Sequence, residues 1–431
     1  AQARKGIFMI DASRGFMKDG PKNRLRAQDI HRIVDVFNNQ REIPKYSRMV
    51  PFDEIERNEF NLNLPRYIDS QEPEDLQDIE GHLCGGIPER DIESLDQYWA
   101  VCPNLRETLF KPNRPGYVDL AVHKTSIKPT IYGHSEFVTF REDINVHFNK
   151  WRQRSEVTLK DLTIDHHPKE LIVDLAEGLL AHYADKPLID RYSVYQHLMD
   201  YWSETMQDDS YLIALDGWRA ETYRIIETDK KGKEKDKGWA CDLVPKSLVV
   251  ARYFAREQAA VDQLRADLET LSAQIEEVEE EQSGEEGVFA ELEKVTLSSV
   301  RAHLKTLAKE GETLDSEEYQ IIQSYLDLCT REAELKKKLK EDEAELDARA
   351  YAQYPKLTED EIKALVVDTK WMAAFEADID GEVDRISQAL TQRVKQLADR
   401  YETPLPQTIN RVAELEEKVN NHLKMMGFSW T

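Results

Sequence analysis

The sequence is poor in cysteine and has no long hydrophobic run. Its 431 residues include only four cysteines, Cys84, Cys102, Cys241 and Cys329, which lie far apart and form no CxxC pair. This spacing argues against a disulfide framework or a zinc ribbon and favours reduced thiols. The apolar stretches are well short of a membrane span, and no signal peptide is recognisable. These absences predict a soluble, cytoplasmic protein with no membrane partner.

Motifs that bind nucleotides or carry out catalysis are also missing. The chain has no GxxxxGK[ST] loop, no GxGxxG after a strand, no GxSxG elbow and no HExxH motif. Gly85-Gly86 predicts a turn, and His166-His167 before Pro168 predicts the turn that begins a helix. Metal binding by these histidines is the less favoured alternative. The residues alone therefore indicate a binding and scaffolding chain, with no catalytic residue and no metal site assigned.

Charge is distributed unevenly along the chain. The formal net charge is −25, yet residues 1–70 carry 13 Lys and Arg against 10 Asp and Glu. Between Arg4 and Arg48 the imbalance rises to 11 basic residues against 5 acidic ones. A local basic patch on an acidic protein can contact phosphate. A solvated surface of mixed charge is an equally good explanation of the composition by itself.

The first 70 residues predict the end of an α/β domain. Gly6–Ile10 is a short apolar run that predicts a buried strand, with Asp11-Ala12-Ser13 as its exit turn. Few residues precede this strand and no comparable alternating strand follows soon, so we expect the back end of a larger sheet domain. A basic loop at 18–26 follows. Two helices are expected next, at about 27–38, with Ile30, Ile33, Val34 and Phe37 on one face, and at about 52–57.

The middle of the chain, to about residue 245, predicts a mixed α+β region. Helical periodicity covers 137–151, 171–183 and 188–205. Alternating or short apolar segments predict strands at 117–123, 211–215 and 223–226. The polar run at 230–238 predicts an exposed loop tip.

From residue 248 the apolar pattern changes to a heptad, which is typical of a coiled coil. One predicted arm carries Phe254, Val261, Leu264, Leu268, Leu271, Ile275 and Val278. The acidic run at 276–281, together with Ser283-Gly284-Glu285-Glu286-Gly287, is expected to break it. A second arm with Leu328, Leu335, Leu339 and Leu346 can fold back antiparallel. After Pro404-Leu405-Pro406, the tail also has an apolar stripe that predicts an amphipathic helix. Gly427-Phe428 predicts the end of this last helix.

These patterns together predict a mainly α fold with a smaller α/β part. We expect the remnant of an α/β sheet at 1–70, a mixed α+β connecting domain at 71–245, an antiparallel coiled-coil hairpin at 246–350 and, at 351–431, a helical tail that docks on its own chain or on a partner. A hairpin of this kind is normally a spacer or an assembly surface.

Five ordered segments within the first 70 residues support a family resemblance. They are Phe8-Met9-Ile10-Asp11-Ala12-Ser13, Asn23-Arg24-Leu25, Ile33-Val34, Tyr46-Ser47-Arg48-Met49-Val50 and Asn61-Leu62-Asn63-Leu64-Pro65-Arg66-Tyr67. This series resembles the last part of the methylase domain in the modification subunits of type I restriction-modification systems, which are N6-adenine DNA methyltransferases. The tail from Leu415 to Phe428 also resembles the longer members, and the middle at 201–218 is similar to their extended C-terminal region.

The resemblance implies chemistry that the chain does not carry. Family members bind S-adenosylmethionine in a glycine-containing loop and grip the extruded adenine with an Asn/Asp-Pro-Pro-Phe/Tyr motif. Neither motif occurs in this sequence, and in the family both lie upstream of the Phe-Ile-Asp-Ala-Ser strand. We therefore expect a C-terminal fragment that binds no cofactor and cannot methylate DNA alone, although the intact subunit would use S-adenosylmethionine.

The resemblance also implies partners. In this family a separate specificity subunit reads double-stranded DNA, two modification subunits clamp around it, and a restriction subunit joins the full complex. The basic residues expected to contact DNA phosphate are Lys18, Lys22, Arg24, Arg26, Arg48 and Arg66. The tail residues expected to contact the specificity subunit are Val412, Leu415, Val419, Leu423 and Met426. A homodimer is possible, and a free-standing coiled-coil scaffold without a methylation role is the main alternative.

Overall fold

The structure is a computed structural model that describes residues 6–70, 77–228, 232, 234–284, 287–290, 292, 294–310 and 317–428. Helices account for 68% of it, so the predicted mainly α class is confirmed. The chain divides into two compact units, one made of residues up to 215 together with those from 371 onward, and the other of residues 216–370. Within the described residues, no helix is both long and apolar enough to cross a membrane.

In the part of the chain that the structure describes, the strands are short and form four small antiparallel sheets. They pair as β1 with β4, β2 with β3, β8 with β9, and β7 between β5 and β6. Their bounds are β1 Gly6–Ile10, β2 Met17–Asp19, β3 Lys22–Arg24, β4 Ser47–Pro51, β5 Ile87–Pro88, β6 Phe110–Arg114, β7 Tyr117–Leu120, β8 Tyr223–Thr228 and β9 Glu234–Ala240.

The helices carry most of the architecture. In the first part of the chain they are α1 Ala27–Asn39, α2 Phe52–Arg57, α3 Ile79–Cys84, α4 Glu89–Glu93, α5 Asp96–Val101, α6 Pro103–Leu109, α7 Ile127–Gly133, α8 Ser135–Lys160, α9 Pro168–His182, α10 Arg191–Tyr201 and α11 Gln207–Asp216. The remaining helices are α12 Lys246–Tyr253, α13 Ala255–Gln282, α14 Leu297–Glu310, α15 Glu317–Gln353, α16 Glu359–Lys363, α17 Ala373–Tyr401 and α18 Leu405–Met425. Short 3-10 turns lie at Leu64–Arg66, Lys124–Ser126 and Tyr354–Lys356, and π-helical segments at Trp202–Met206 and Ala364–Met372.

Strand β1 has a partner that the sequence pattern did not reveal. It pairs antiparallel with β4, with Phe8 opposite Met49 and Ile10 opposite Ser47. The expectation that no strand follows soon was therefore wrong. Ser-Arg-Met-Val-Pro lacks a clean apolar alternation, and its pairing depends on contacts over some 40 residues of sequence. A small core of Met9, Val50, Ile55, Tyr67 and Ile68 lies beside this pair of strands.

Helix α1 lies where periodicity predicts it, but its apolar face is turned outward. Ile30, Val34 and Phe37 are 51%, 48% and 62% exposed, whereas Val36 is fully buried. The helix therefore buries a mainly polar side and leaves an apolar one in solvent, the reverse of the usual arrangement. An outward apolar face of this kind is typical of a surface that contacts another polypeptide.

The long helices α8 and α17 form the centre of the first unit. The predicted stripe of α8, comprising Phe140, Ile144, Phe148 and Trp151, is buried as expected. The ring centroids of Phe148 and Trp151 lie 5.7 and 5.4 Å from that of Phe375 on α17, in edge-on geometry. Edge-to-face aromatic contacts add to the free energy of burial, so these rings hold the two helices together.

The second unit is built around α13 and α15. Side-chain hydrogen bonds join Glu257 to Arg349, Arg265 to Glu343 and Ser272 to Glu332. Residues further along α13 therefore contact residues that come earlier in α15. The two helices therefore run in opposite directions. Helix α14 contributes to a shared apolar cluster at one end, whose buried members are Leu271, Ile275, Phe289, Val300, Leu307, Ile322, Tyr325, Leu326 and Cys329.

Other predicted elements differ from the structure in identifiable ways. Residues 211–215, predicted as a strand, are helical and belong to α11. A run of five apolar residues fits either a buried helix or a strand, and here the preceding helical turns extend through it. The acidic run at 276–281 is also helical and lies within α13. The second part of the predicted break is confirmed, because α13 ends at Gln282 with Ser283 as its C-cap. The predicted loop tip at 230–238 is partly strand β9, and residues 229–231 and 233 lie outside the described residues.

Candidate functional site

The predicted basic loop is a β-hairpin, which we call the basic hairpin (residues 17–24). Strands β2 and β3 pair Met17 with Arg24, Lys18 with Asn23 and Asp19 with Lys22, and Gly20 at the turn has φ +59°. Lys18 Nζ donates to Asn23 Oδ1 at 2.8 Å. Lys22 and Arg24 are exposed, and neither forms an ion pair with any described residue. The hairpin thus presents three cations to solvent on a short, ordered support.

The other predicted DNA-contacting arginines have different surroundings. The Arg26 guanidinium donates two hydrogen bonds to the buried Asp29, at 2.9 and 3.0 Å, and the Arg26 amide donates a third at 2.9 Å, where α1 begins. Burial alone would raise the pKa of Asp29, but the bonds from Arg26 outweigh it and lower the pKa. Arg48 binds Glu54 with both Nη atoms, at 2.9 and 2.7 Å. These two guanidinium groups are therefore partly neutralised, whereas Arg66 is exposed on the 3-10 turn.

The exit of β1 forms a rigid polar turn. The Ser13 amide N–H donates to Asp11 Oδ1 at 3.0 Å, and the Asp11 amide donates to the Tyr46 carbonyl at 2.8 Å. The pKa of Asp11 is lowered, first by the hydrogen bond from Ser13 and also by one from Ser70. This local bonding is typical of a carboxylate that shapes a turn. It explains the Asp-Ala-Ser sequence without assigning it a catalytic role.

Helix α1 is anchored to α10 by a cluster of charged groups. Asp35 Oδ2 accepts hydrogen bonds from Arg191 Nη2 and from the Tyr192 hydroxyl, each at 2.5 Å. Burial would raise the pKa of Asp35, but the Tyr192 bond and the Arg191 charge outweigh it and the pKa is lowered. The Arg32 guanidinium lies 4.3 Å from the centroid of the Tyr46 ring. These contacts fix the polar side of α1 inward and explain why its apolar side faces out.

The tail helix α18 presents one continuous apolar face. Among the predicted partner-binding residues, Val412, Leu415, Val419 and Met426 are 50%, 46%, 55% and 82% exposed, whereas Leu423 is half-buried. Leu405 and Ile409, 48% and 58% exposed, extend the same face toward the start of the helix. We call the exposed set Leu405, Ile409, Val412, Leu415, Val419 and Met426 the tail stripe.

The end of α18 follows the glycine signal in the sequence. Gly427 has φ +82°, its amide donates to the Lys424 carbonyl, and the Phe428 amide donates to the Leu423 carbonyl at 2.8 Å. This pair of bonds is a Schellman motif, for which a left-handed residue such as glycine is needed. The predicted stop at Gly427-Phe428 is confirmed.

The histidine pair at 166–167 has a structural role. His167 is the residue before α9, as predicted for a turn that begins a helix. His166 Nδ1 contacts the Thr163 carbonyl and its Nε2 contacts Ser210 Oγ, both at 2.9 Å. Ser210 is fully buried, so this Ser–His contact offers no access for a substrate. Within the described residues, no group of three or more His, Cys, Asp or Glu side chains could hold a metal ion.

Two features, the anchor of α1 and the conformation of Phe60, could not be predicted from residue spacing in the sequence. The anchor between Asp35 and Arg191 joins residues 156 positions apart, so no local pattern marks it. The second is Phe60, which is 70% exposed and has a left-handed backbone, φ +57°. Non-glycine residues adopt this conformation rarely, and no glycine signalled it. The asparagine-rich sequence around it was the only available hint.

Comparisons with known proteins match only part of this chain. Residues 1–76 match the family model for N-6 DNA Methylase. The type I restriction enzyme MpnII methylase subunit of Mycoplasma pneumoniae is 32% identical over 74 residues, which cover 17% of this chain and 14% of that protein. The type I restriction enzyme MjaVII methylase subunit of Methanocaldococcus jannaschii is 35% identical over 102 residues, 22% of this chain and 18% of that protein. No solved structure matches the chain.

The predicted resemblance to N6-adenine methylase subunits of type I restriction enzymes is therefore confirmed. The assignment to the C-terminal part of such a subunit stays a prediction. The match to the N-6 DNA Methylase family model covers the first 76 residues of the chain. The relatives that share this segment are methylase subunits of type I restriction enzymes. The matched segments span less than a fifth of either relative.

Proposed function

We propose that this chain serves a type I methylase subunit by contacting DNA and by docking the specificity subunit. The tail stripe is the observation that carries the proposal. None of the described residues of α18 is buried, although the helix has 21 residues and a continuous apolar face. An isolated helix of this length is only marginally stable in water, and most helices gain stability from packing an apolar face. A partner that covers the stripe would supply that packing.

The form of the stripe favours a helical partner. Its apolar residues recur at spacings of three and four, the pattern by which an amphipathic helix lies in an apolar groove. Charged residues flank it, with Glu414 and Glu416 before Val419 and Lys424 after it. A docking helix would therefore carry an apolar face of its own, with charges placed to complement these. In the proposed assembly, that helix belongs to the specificity subunit.

A pull-down against the specificity subunit of the same system tests the docking. We expect Val419→Asp to abolish capture, because it places a charge at the centre of the tail stripe. Asn410→Asp adds the same charge to the opposite side of α18 and should leave capture unchanged. Capture of both variants at the level of the unaltered chain would remove the tail stripe from the interface. No capture of the unaltered chain would favour the coiled-coil scaffold as the alternative function.

The basic hairpin supports the DNA contact. Lys18, Lys22 and Arg24 lie on one ordered hairpin in the segment that matches the methylase family. Such cations bind phosphate and position a protein without reading sequence. Lys22→Ala should weaken duplex binding about equally for all sequences and reduce the salt slope by about one. Lys338→Ala, a lysine in the second unit, is the matched control, and an unchanged slope for Lys22→Ala would contradict the proposal.

The catalytic step is not assigned to the described residues. Cofactors in open α/β sheets lie at the carboxyl ends of parallel strands, often on a glycine-rich loop. Strands β1 and β4 are antiparallel, and no such loop follows a strand in the sequence. These residues therefore do not fit S-adenosylmethionine. We propose that the outward apolar face of α1 packs against another part of the assembled methylase, in which adenine methylation takes place.

A further inference from the structure

The segment between α2 and Tyr67 forms a rigid exposed loop, which we call the Phe60 loop (residues 58–66). Both of its ends are fixed in the small core by Ile55 and Tyr67, which are 3% and 6% exposed. The Tyr67 hydroxyl donates to the Asn61 carbonyl at 2.6 Å, and the Asn63 amide donates to Asn61 Oδ1 at 3.0 Å. The loop therefore has a defined conformation even though most of its side chains lie in solvent.

Phe60 is held in an unfavourable conformation at the top of this loop. Glu59 and Phe60 are both left-handed, with φ +55° and +57°. The Phe60 amide donates to the Ile55 carbonyl and the Glu59 amide to the Glu56 carbonyl, each at 2.9 Å, which closes a Schellman motif after α2. A bulky residue with positive φ is a rare and costly conformation. The ring is 70% exposed, so packing within the described fold contributes little to offset that cost.

We infer that Phe60 stacks on an unpaired base of DNA, which deepens the proposed function and rests on it. Every base has an aromatic face, so an exposed ring on a rigid loop can bind one without reading sequence. The adjacent side chains suit a nucleic acid, because Asn61 and Asn63 carry exposed amides and Arg66 carries an exposed cation. Asparagine amides bond base edges and arginine bonds phosphate.

The Phe60 loop is also joined to the predicted DNA contacts. Arg48 Nη1, already bound to Glu54, lies 3.5 Å from the carbonyl oxygen of Tyr67, the residue that anchors the loop. A phosphate held near Arg48 would therefore lie close to the base of the loop. Protein is the less suitable occupant, because Phe60 and Leu62 alone offer far less apolar area than a stable protein interface buries.

Fluorescence anisotropy of the full chain with a labelled single-stranded oligonucleotide, across about 50 to 200 mM salt, tests this inference. Phe60→Ala should weaken binding roughly five- to a hundredfold, as loss of one stacked base does. The salt slope should stay unchanged, since no charge is removed. Phe60→Trp should retain binding and Phe60→Leu should lose it, because stacking needs an aromatic ring. Phe52→Ala, another exposed aromatic of this segment, is the matched control and should bind normally.

The outcomes separate this inference from the proposed function. Binding by the full chain that Phe60→Ala leaves unchanged overturns the stacking role alone. Full affinity of Phe60→Leu also overturns it, because an apolar contact would then suffice. Loss of specificity-subunit capture by Phe60→Ala with normal DNA affinity would assign the loop to protein instead. No binding of the single-stranded oligonucleotide by the full chain would overturn this inference, whereas no binding of a duplex would contradict the proposed DNA contact.

Discussion

His147 of α8 and His182 of α9 form a reciprocal pair. Their rings stack with centroids 3.8 Å apart and planes 13° from parallel, and each Nε2 lies 2.8 Å from the backbone carbonyl of the other residue. Two neutral rings, each with a proton on Nε2, satisfy this arrangement. A proton added to His147 would place a positive charge in a partly buried, stacked ring. Asp143 and Lys186, bonded to each other at 2.8 Å, are the charged neighbours of the pair.

Acidification should therefore weaken the packing of α8 on α9. The pKa of His147 is held below 6.5, mainly because burial disfavours the charged ring, which outweighs the hydrogen bond to the His182 carbonyl. Between that lowered pKa and about 6.5 the unfolded chain binds more protons, so the free energy of unfolding falls as the pH falls. His147→Gln should lose less stability than the unaltered chain between pH 7.5 and 5.5, by thermal unfolding. His422→Gln, an exposed control, should lose as much stability as the unaltered chain. Equal losses in all three proteins would contradict the role of the histidine pair.

A second prediction concerns the anchor of α1. Asp35→Asn removes the charge that binds Arg191 and Tyr192, and hydrogen bonds to charged groups contribute about 1.5–3 kcal/mol. Because the pKa of Asp35 is lowered in the fold, its contribution is complete above about pH 3.8 and is lost as the pH falls below that value. At neutral pH we expect faster amide hydrogen exchange throughout α1. Asp53→Asn, an exposed control on α2, should leave that exchange unchanged.

A third prediction uses the left-handed residue after α2. Glu59 occupies the position where helices usually place glycine, at φ +55°. Glu59→Gly should raise the free energy of unfolding by about 1 kcal/mol, because glycine adopts this conformation without a steric cost. Glu56→Gly, inside α2, should lower it by a similar amount. Chemical denaturation of the three proteins checks both signs, and a loss of stability in Glu59→Gly would show that the strain is absent.

Periodicity predicted the long helices well because the contacts that stabilise them repeat along the sequence. The stripe of α8 from Phe140 to Trp151 was identified correctly, since those side chains meet one continuous core. The end of α18 was also local, since Gly427 marks it. The pairing of β1 with β4 was missed, because neither strand by itself shows which segment will supply its hydrogen bonds.

In the candidate site, too, local sequence patterns could be predicted, whereas contacts between residues distant in sequence could not. The sequence shows which residues of this region are basic. It does not show which of them pair with a carboxylate and which remain exposed. Arg48 binds Glu54 with both Nη atoms, whereas Lys22 and Arg24 stay exposed, and only folding decides which carboxylate meets which cation. The stripe on α1 was found correctly, yet its direction depends on the bond between Asp35 and Arg191 on a distant helix.

The outward face of α1 leads to a prediction about two adjacent residues. Phe37 is 62% exposed and Val36 is fully buried, so the same substitution should have opposite effects at the two positions. Phe37→Glu should fold normally and reduce self-association, because it removes an apolar side chain from the surface. Val36→Glu buries a carboxylate without a partner and should cost several kcal/mol. Thermal unfolding and light scattering of both variants check the prediction. Equal destabilisation by the two changes would show that the apolar face of α1 is packed within the chain, and the proposed contact with another part of the methylase would then lose its basis.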